Sequence, residues 1–217
     1  MDSIERARTE LGANLVLEAS WQHAGDNVRI NLSLIDTRTA KQLRTDTITA
    51  QAKDLFALQD HVVSSAVDML NIRLQPQQAQ ELIAHGTTVL SAYDFYVQGL
   101  GYLQRPDQHQ SADNAITLFQ RALKEDPGYA LAQAGLGRSY WEKYHHSKEQ
   151  RWVEAGRQAC ERAVSLDSKL SAGHICLGMV YNGTGQYEEA ARELRDAFAI
   201  DPGSDDACLE LARAYQA

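Results

Sequence analysis

Regular punctuation constrains the second half of this chain more than any other feature. Asp126-Pro127-Gly128, Asp167-Ser168 and Asp201-Pro202-Gly203 fall 41 and 34 residues apart, and each precedes an apolar stretch holding Gly or Ala and then Tyr. Strand-like alternation of apolar and polar residues stops at Ser91. A spacing near 34 residues with paired apolar stretches predicts stacked helical hairpins, in which no unit buries its apolar face alone and neighbours complete the core.

The units align residue by residue. The first reads Phe95-x-x-Gln98-Gly99-x-x-Tyr102, Ala115-x-x-x-Phe119, Pro127, and the second Gln133-x-x-Leu136-Gly137-x-x-Tyr140, Gly156-x-x-x-Cys160, with Ser168 in place of Pro. The third reads His174-x-x-Leu177-Gly178-x-x-Tyr181, Ala190-x-x-x-Leu194, Pro202, and a fourth begins with Cys208-x-x-Leu211-Ala212-x-x-Tyr215. Gly or Ala belongs where two helices touch, because a larger side chain pushes them apart. Asp-Pro ends one hairpin and starts the next turn. Two units are lengthened: Tyr140 to Gly156 is 16 steps against 9 from Tyr181 to Ala190, and Tyr102 to Ala115 is 13. The seven extra residues near 145–151 and the four near 105–109 predict longer helices or loops on one edge.

This pattern resembles the tetratricopeptide repeat (TPR). The resemblance implies an all-α superhelix of helical hairpins over 91–217, three repeats plus the first helix of a fourth, that binds another polypeptide. First helices of such hairpins line a concave face. Positions flanking each Gly or Ala place Tyr96 and Leu100, Ala134 and Arg138, Ile175 and Met179, and Leu209 and Arg213 there, with Trp141 and Asn182 one turn further on. Aromatic, aliphatic and Arg side chains together suit a groove for a peptide or a helix. Chaperone-binding TPR proteins hold a C-terminal carboxylate with Lys and Asn at these positions. Tyr96, Leu100, Ala134 and Arg138 stand here instead, which argues against capture of a carboxylate tail.

Residues 1–75 read differently. After a short helix over 3–12, alternation over 14–22 puts Leu15, Leu17, Ala19 and Trp21 on one face, and alternation from Val28 to Leu34 follows a turn at 23–27. A Thr-rich strand over 43–50 completes an antiparallel meander. A helix over 55–74, N-capped by Asp54, carries Leu55, Leu58, Val62, Ala66, Met69 and Leu70 on one stripe and covers the apolar face of the sheet. The expected fold class is therefore an α+β segment, a three-stranded antiparallel sheet with helices, followed by the TPR superhelix. Residues 76–90 read as a linker with a short helix over 77–84. The runs from Glu10 to Ser20, Gly25 to Asp36 and Asp54 to Asp60 resemble a TolB-like domain, the kind found beside TPR repeats in bacterial signalling proteins, including membrane-anchored serine/threonine kinases and adenylate cyclases. The stretch 86–104 is most similar to the kinase-linked kind. The resemblance implies a non-catalytic interaction or sensory region from a longer kinase. The family's domain starts with a further strand and helix, so the sheet is expected to have an uncovered edge and to pair there as a homodimer. A free-standing adaptor and a small-ligand sensor using the sheet are the competing readings.

Composition narrows the function classes. The net charge is −8, split −3 over 1–90 and −5 over 91–217, so neither half is a basic nucleic-acid module. No apolar run reaches the roughly 20 residues of a membrane-spanning helix. No phosphate loop, third Gly of a dinucleotide fingerprint, zinc-protease or nucleophile-elbow motif is present, so no catalytic residue or cofactor is expected. His145-His146 beside Glu142 diverge on a helix and make a poor metal site. Cys160, Cys176 and Cys208 lie 16 and 32 residues apart, outside zinc spacings, and read as three small buried hydrophobes. Asn31 and Asn182 match the short glycan-acceptor pattern, a weak signal. Compartment is left open: outside the cytoplasm for a membrane-anchored parent, inside for an anchor-free one.

Overall fold

The computed structural model describes residues 3–51, 54–73, 86–104 and 110–216. The chain divides into two compact units, 1–85 and 86–217. The expected helix over 77–84 and the extra residues near 105–109 lie outside the described residues.

The first unit opens with α1 (Ser3–Leu11), followed by β1 (Leu15–Ala24), β2 (Asn27–Asp36) and β3 (Lys41–Gln51). They pair antiparallel in the order β1-β2-β3. The expected turn over 23–27 shrinks to Gly25-Asp26, because Gly25 adopts φ +62° and closes a two-residue hairpin, leaving His23 and Ala24 paired in β1. Asp36 sets the second turn: its Oδ1 accepts from the Arg38 and Thr39 amides, both at 2.9 Å. Those amide donors hold the Asp36 carboxyl below its ordinary pKa.

Helix α2 (Leu55–Leu70) stops four residues short of the expected end, at Asn71 in the left-handed conformation. Asp54 occupies the N-cap position without a side-chain capping bond. The helix packs on β2 and β3, burying Leu58 and Met69 against Leu32, Leu34 and Ile48. Ser65 Oγ donates to Asp46 Oδ2 (2.6 Å) and Arg44 Nη1 to the Asp68 carbonyl (2.7 Å), which ties the helix to β3. The expectation that α2 covers the whole apolar face is corrected here. Leu17 pairs across from Leu34 and Trp21 from Ile30, yet Leu15, Leu17 and Trp21 remain 43%, 38% and 70% exposed.

The second unit is helical: α3 (Leu90–Leu103), α4 (Ser111–Glu125), α5 (Ala130–Ser147), α6 (Arg151–Leu166), α7 (Ser171–Gly183), α8 (Tyr187–Ile200) and α9 (Asp205–Gln216). Helices consecutive in the chain pack as neighbours, and the first helices α3, α5, α7 and α9 also touch in succession. The punctuating Asp residues share one job. Oδ1 of Asp126, Asp167 and Asp201 accepts from the amide two residues on, at 2.9, 2.9 and 3.1 Å, so the second turn closes without a Pro at position 168.

The small motif positions are helix contacts. A Cβ at Gly99 would sit 2.8 Å from the Phe119 ring and one at Gly135 would sit 2.6 Å from it, so the fully buried Phe119 fills a notch between α3 and α5. Leu194 fills the matching place against Gly178. The second repeat differs, because Cys160 takes this position and forms a disulfide with Cys176 of α7. This corrects the reading of three independent buried cysteines; Cys208 is free and exposed. The seven extra residues of that repeat lengthen its helices. α5 has 18 residues against 13 in α7, α6 has 16 against 14 in α8, and three residues connect each pair.

Candidate functional site

The first helices of three hairpins converge on one concave pocket of about 270 Å³. Its wall includes Tyr96 and Leu100 from α3, Ala134 and Arg138 from α5, and Ile175 and Met179 from α7. These six are the residues that flank the three motif glycines. A second pocket of about 380 Å³ continues along the same helices, and Met179 borders both. Trp141, Asn182 and Arg213 line the second pocket, while Leu209 lines neither and is exposed.

The end around Tyr96 is aromatic. Its ring lies 5.1 Å from that of Tyr129, 5.8 Å from Phe119 and 6.4 Å from Tyr93. Burial, with a smaller contribution from Tyr93, pushes the Tyr96 phenol up to about 12. Burial raises Tyr129 as well.

The middle of the groove is charged. Arg138 Nη1 lies 3.2 Å from Asp206 Oδ2 of α9, with the two side chains 45% and 55% exposed. Sequence reading missed Asp206, Leu131 and Ala172 as wall residues. The signal was available: they occupy one register position, a turn before Leu209, Ala134 and Ile175 on the same helices.

The second pocket is built on a buried carboxylate. Glu210, 6% exposed, accepts from Asn182 Nδ2 at 3.0 Å and from Arg213 Nη1 at 2.5 Å, and Asn182 also donates to the Glu210 carbonyl. Asn182 Oδ1 is buried without a hydrogen-bond partner. Trp141 is chiefly a core residue: it is 6% exposed, packs in a cluster with Val153, Leu177 and Val180, and its ring takes the space a Cβ on Gly183 would need. Among the described residues no cluster of His, Cys, Asp and Glu could hold a metal ion, and no helix is long and apolar enough to cross a membrane.

Comparison with known proteins adds independent observations. Residues 182–217 match the family model described as "Tetratricopeptide repeat". The Rhizobium meliloti (strain 1021) protein named "Putative adenylate cyclase 3" is 27% identical over 191 residues, covering 86% of this chain and 32% of that protein. Hsc70-interacting protein 1 of Drosophila melanogaster is 32% identical over 92 residues, covering 42% of this chain and 22% of its own length. The chain thus spans a third or less of the length of these relatives. The Sgt2 TPR domain from Aspergillus fumigatus superposes with a TM-score of 0.50 at 17% identity, covering 61% of this chain and 82% of that one. The stacked hairpins, the notch at each motif glycine and these likenesses lead to one conclusion: the helical unit has a tetratricopeptide-type fold.

Proposed function

We propose that the helical unit is a non-catalytic platform that holds a peptide or helix of another protein in its concave groove. One observation carries this reading: Tyr96, Leu100, Ala134, Arg138, Ile175 and Met179 reach a single pocket from three successive hairpins. An apolar floor with the exposed Arg138–Asp206 ion pair at mid-groove fits apolar side chains flanking a polar or charged one that competes for either partner. The test is a pull-down with the chain as bait, repeated with Arg138→Ala and Met179→Ala. Loss of the same partner in both variants supports the groove, and retention in both rejects it. Neither ATP turnover nor cyclic-nucleotide formation is expected from this chain.

A second reading, capture of a chaperone tail, is favoured by the similarity to Hsc70-interacting protein 1. Tyr96, Leu100, Ala134 and Arg138 standing where such proteins carry Lys and Asn weighs against it. Titrating an acidic C-terminal peptide with a free and with an amidated terminus separates the two, because only tail capture needs the carboxylate.

The proposal extends to the parent protein. We read the chain as the interaction or sensory region of a longer bacterial signalling protein, with residues 8–75 as the TolB-like part. Similarity over 86% of the chain to a protein named as an adenylate cyclase favours a cyclase-type parent over the kinase drawn from the sequence resemblance. The exposed apolar face of β1 supports homodimerisation through that edge.

A further inference from the structure

We propose that the helical unit folds in an oxidising compartment, where the Cys160–Cys176 disulfide closes the seam between the second and third hairpins. At the seam between the first and second hairpins, Phe119 of α4 fits into the space left by Gly135 of α5. The equivalent positions one repeat later are Cys160 of α6 and Cys176 of α7. A cysteine fills far less space than phenylalanine, so this seam cannot be closed by the same wedge. Instead the two sulfurs are bonded, with Cα atoms 5.5 Å apart. The bond is almost wholly buried, with only Cys176 reaching the groove wall. Cys160 is inaccessible, Cys176 is 4% exposed, and Trp141, Val153, Leu177 and Val180 surround the pair. Gly137 lies directly against both sulfurs; a Cβ there would be 2.5 Å from Cys160 Sγ and 2.7 Å from Cys176 Sγ. Cys176 Sγ also lies 3.5 Å from the Ala134 carbonyl and borders the groove, so the bond fixes the pocket floor.

Burial decides between a staple and a switch. Thiol–disulfide exchange needs in-line access to a sulfur, which the folded unit denies, so the bond forms during folding and then persists. Persistent structural disulfides belong to oxidising compartments. The two thiols give up two protons and two electrons to an incoming disulfide; glutathione disulfide serves in the test and leaves as two glutathione thiols. The claim is independent of what the groove binds.

Two measurements test it. The protein is acid-quenched in its own cells, alkylated and digested. Cys208 alkylated, with Cys160 and Cys176 recovered as one cross-linked pair, is the expected result. Both recovered as alkylated thiols would overturn the compartment. Separately, the chain carrying Cys208→Ser is refolded with oxidised glutathione or under reductant. Closing a loop of 16 residues should raise the melting temperature of the oxidised form by roughly 10 °C. A difference under about 2 °C, smaller than a 1 kcal/mol change gives in a unit of this size, would overturn the closing role. Both measurements use the intact cysteine pair, so neither depends on a core substitution that might unfold the chain.

Discussion

The two units solve the same burial problem in opposite ways. In the helical unit successive helices cover one another and the core runs through seams filled by Phe119, the Cys160–Cys176 pair and Leu194, although Leu209 and Tyr215 of α9 stay exposed. Among the described residues of the sheet unit one helix packs on two of the three strands, and Leu15, Leu17 and Trp21 of β1 are exposed. A repeat completes its core from its own sequence period. A meander needs a covering layer, and among the described residues that layer reaches β2 and β3.

The sharpest way to break this comparison is Phe119→Ala. The ring is fully buried between two glycines that cannot follow it inward, so the substitution should cost the helical unit about 3–5 kcal/mol. Urea denaturation followed by far-UV circular dichroism reads it. A loss under about 1 kcal/mol, less than a buried methylene pair is worth, would mean the seams are not where this unit stores its stability.

The reverse insertion is smaller. Gly135→Ala places a methyl 2.6 Å from the Phe119 ring, in a site with no slack. Overpacking costs about 1–3 kcal/mol, partly offset by the roughly 1 kcal/mol that Ala gains over Gly in a helix. A net loss is expected, whereas Gly101→Ala, with open space around the new Cβ, should stabilise slightly. If both variants gain stability, Gly135 is not a packing requirement.

Alkaline pH separates the units without mutation. Burial favours the neutral phenols of Tyr96 and Tyr129 in the folded helical unit. In the unfolded chain both ionise near pH 10. The folded state therefore holds protons that the unfolded state releases, so their contribution is complete below pH 10. It is lost between pH 10 and 12 as Tyr96 titrates, and further above that for Tyr129. Tyr96→Phe should flatten the fall in urea midpoint between pH 10 and 12. An unchanged slope would remove Tyr96 as its source.

What was legible in the sequence follows from how local the code is. The motif glycines, the partner Phe119 and the groove positions of α3, α5 and α7 all repeat at a fixed period, so register alone placed them. The turn Asp residues were legible for the same reason. The disulfide was not, because Cys160 and Cys176 sit on different helices and only the fold brings a 16-residue separation to 5.5 Å. Trp141 was assigned to the groove by spacing and lines its second pocket, but a helix face does not say how deep a side chain sits; most of its ring takes the space left by Gly183. Alternation in β1 marked an apolar face correctly, yet alternation carries no information on whether anything covers that face.

The last and smallest effect on stability tests that uncovered face. Trp21 is 70% exposed and Leu17 is 38% exposed, so replacing both with Ser should change the sheet unit's stability by no more than about 0.5–1 kcal/mol. The same change should act strongly between molecules. Two copies of β1 paired antiparallel about Ala19 would set Leu17 of one against Trp21 of the other, twice by symmetry. β3, the other edge, carries Lys41, Arg44 and Asp46, charges of the kind that discourage edge pairing. Sedimentation equilibrium should therefore show self-association of the unaltered chain, weakened at least tenfold by Leu17→Ser with Trp21→Ser and untouched by Leu43→Ser on β3. A chain that is monomeric at every concentration would make the bare strand a solvated edge, and the contrast between the units would then be one of core size alone.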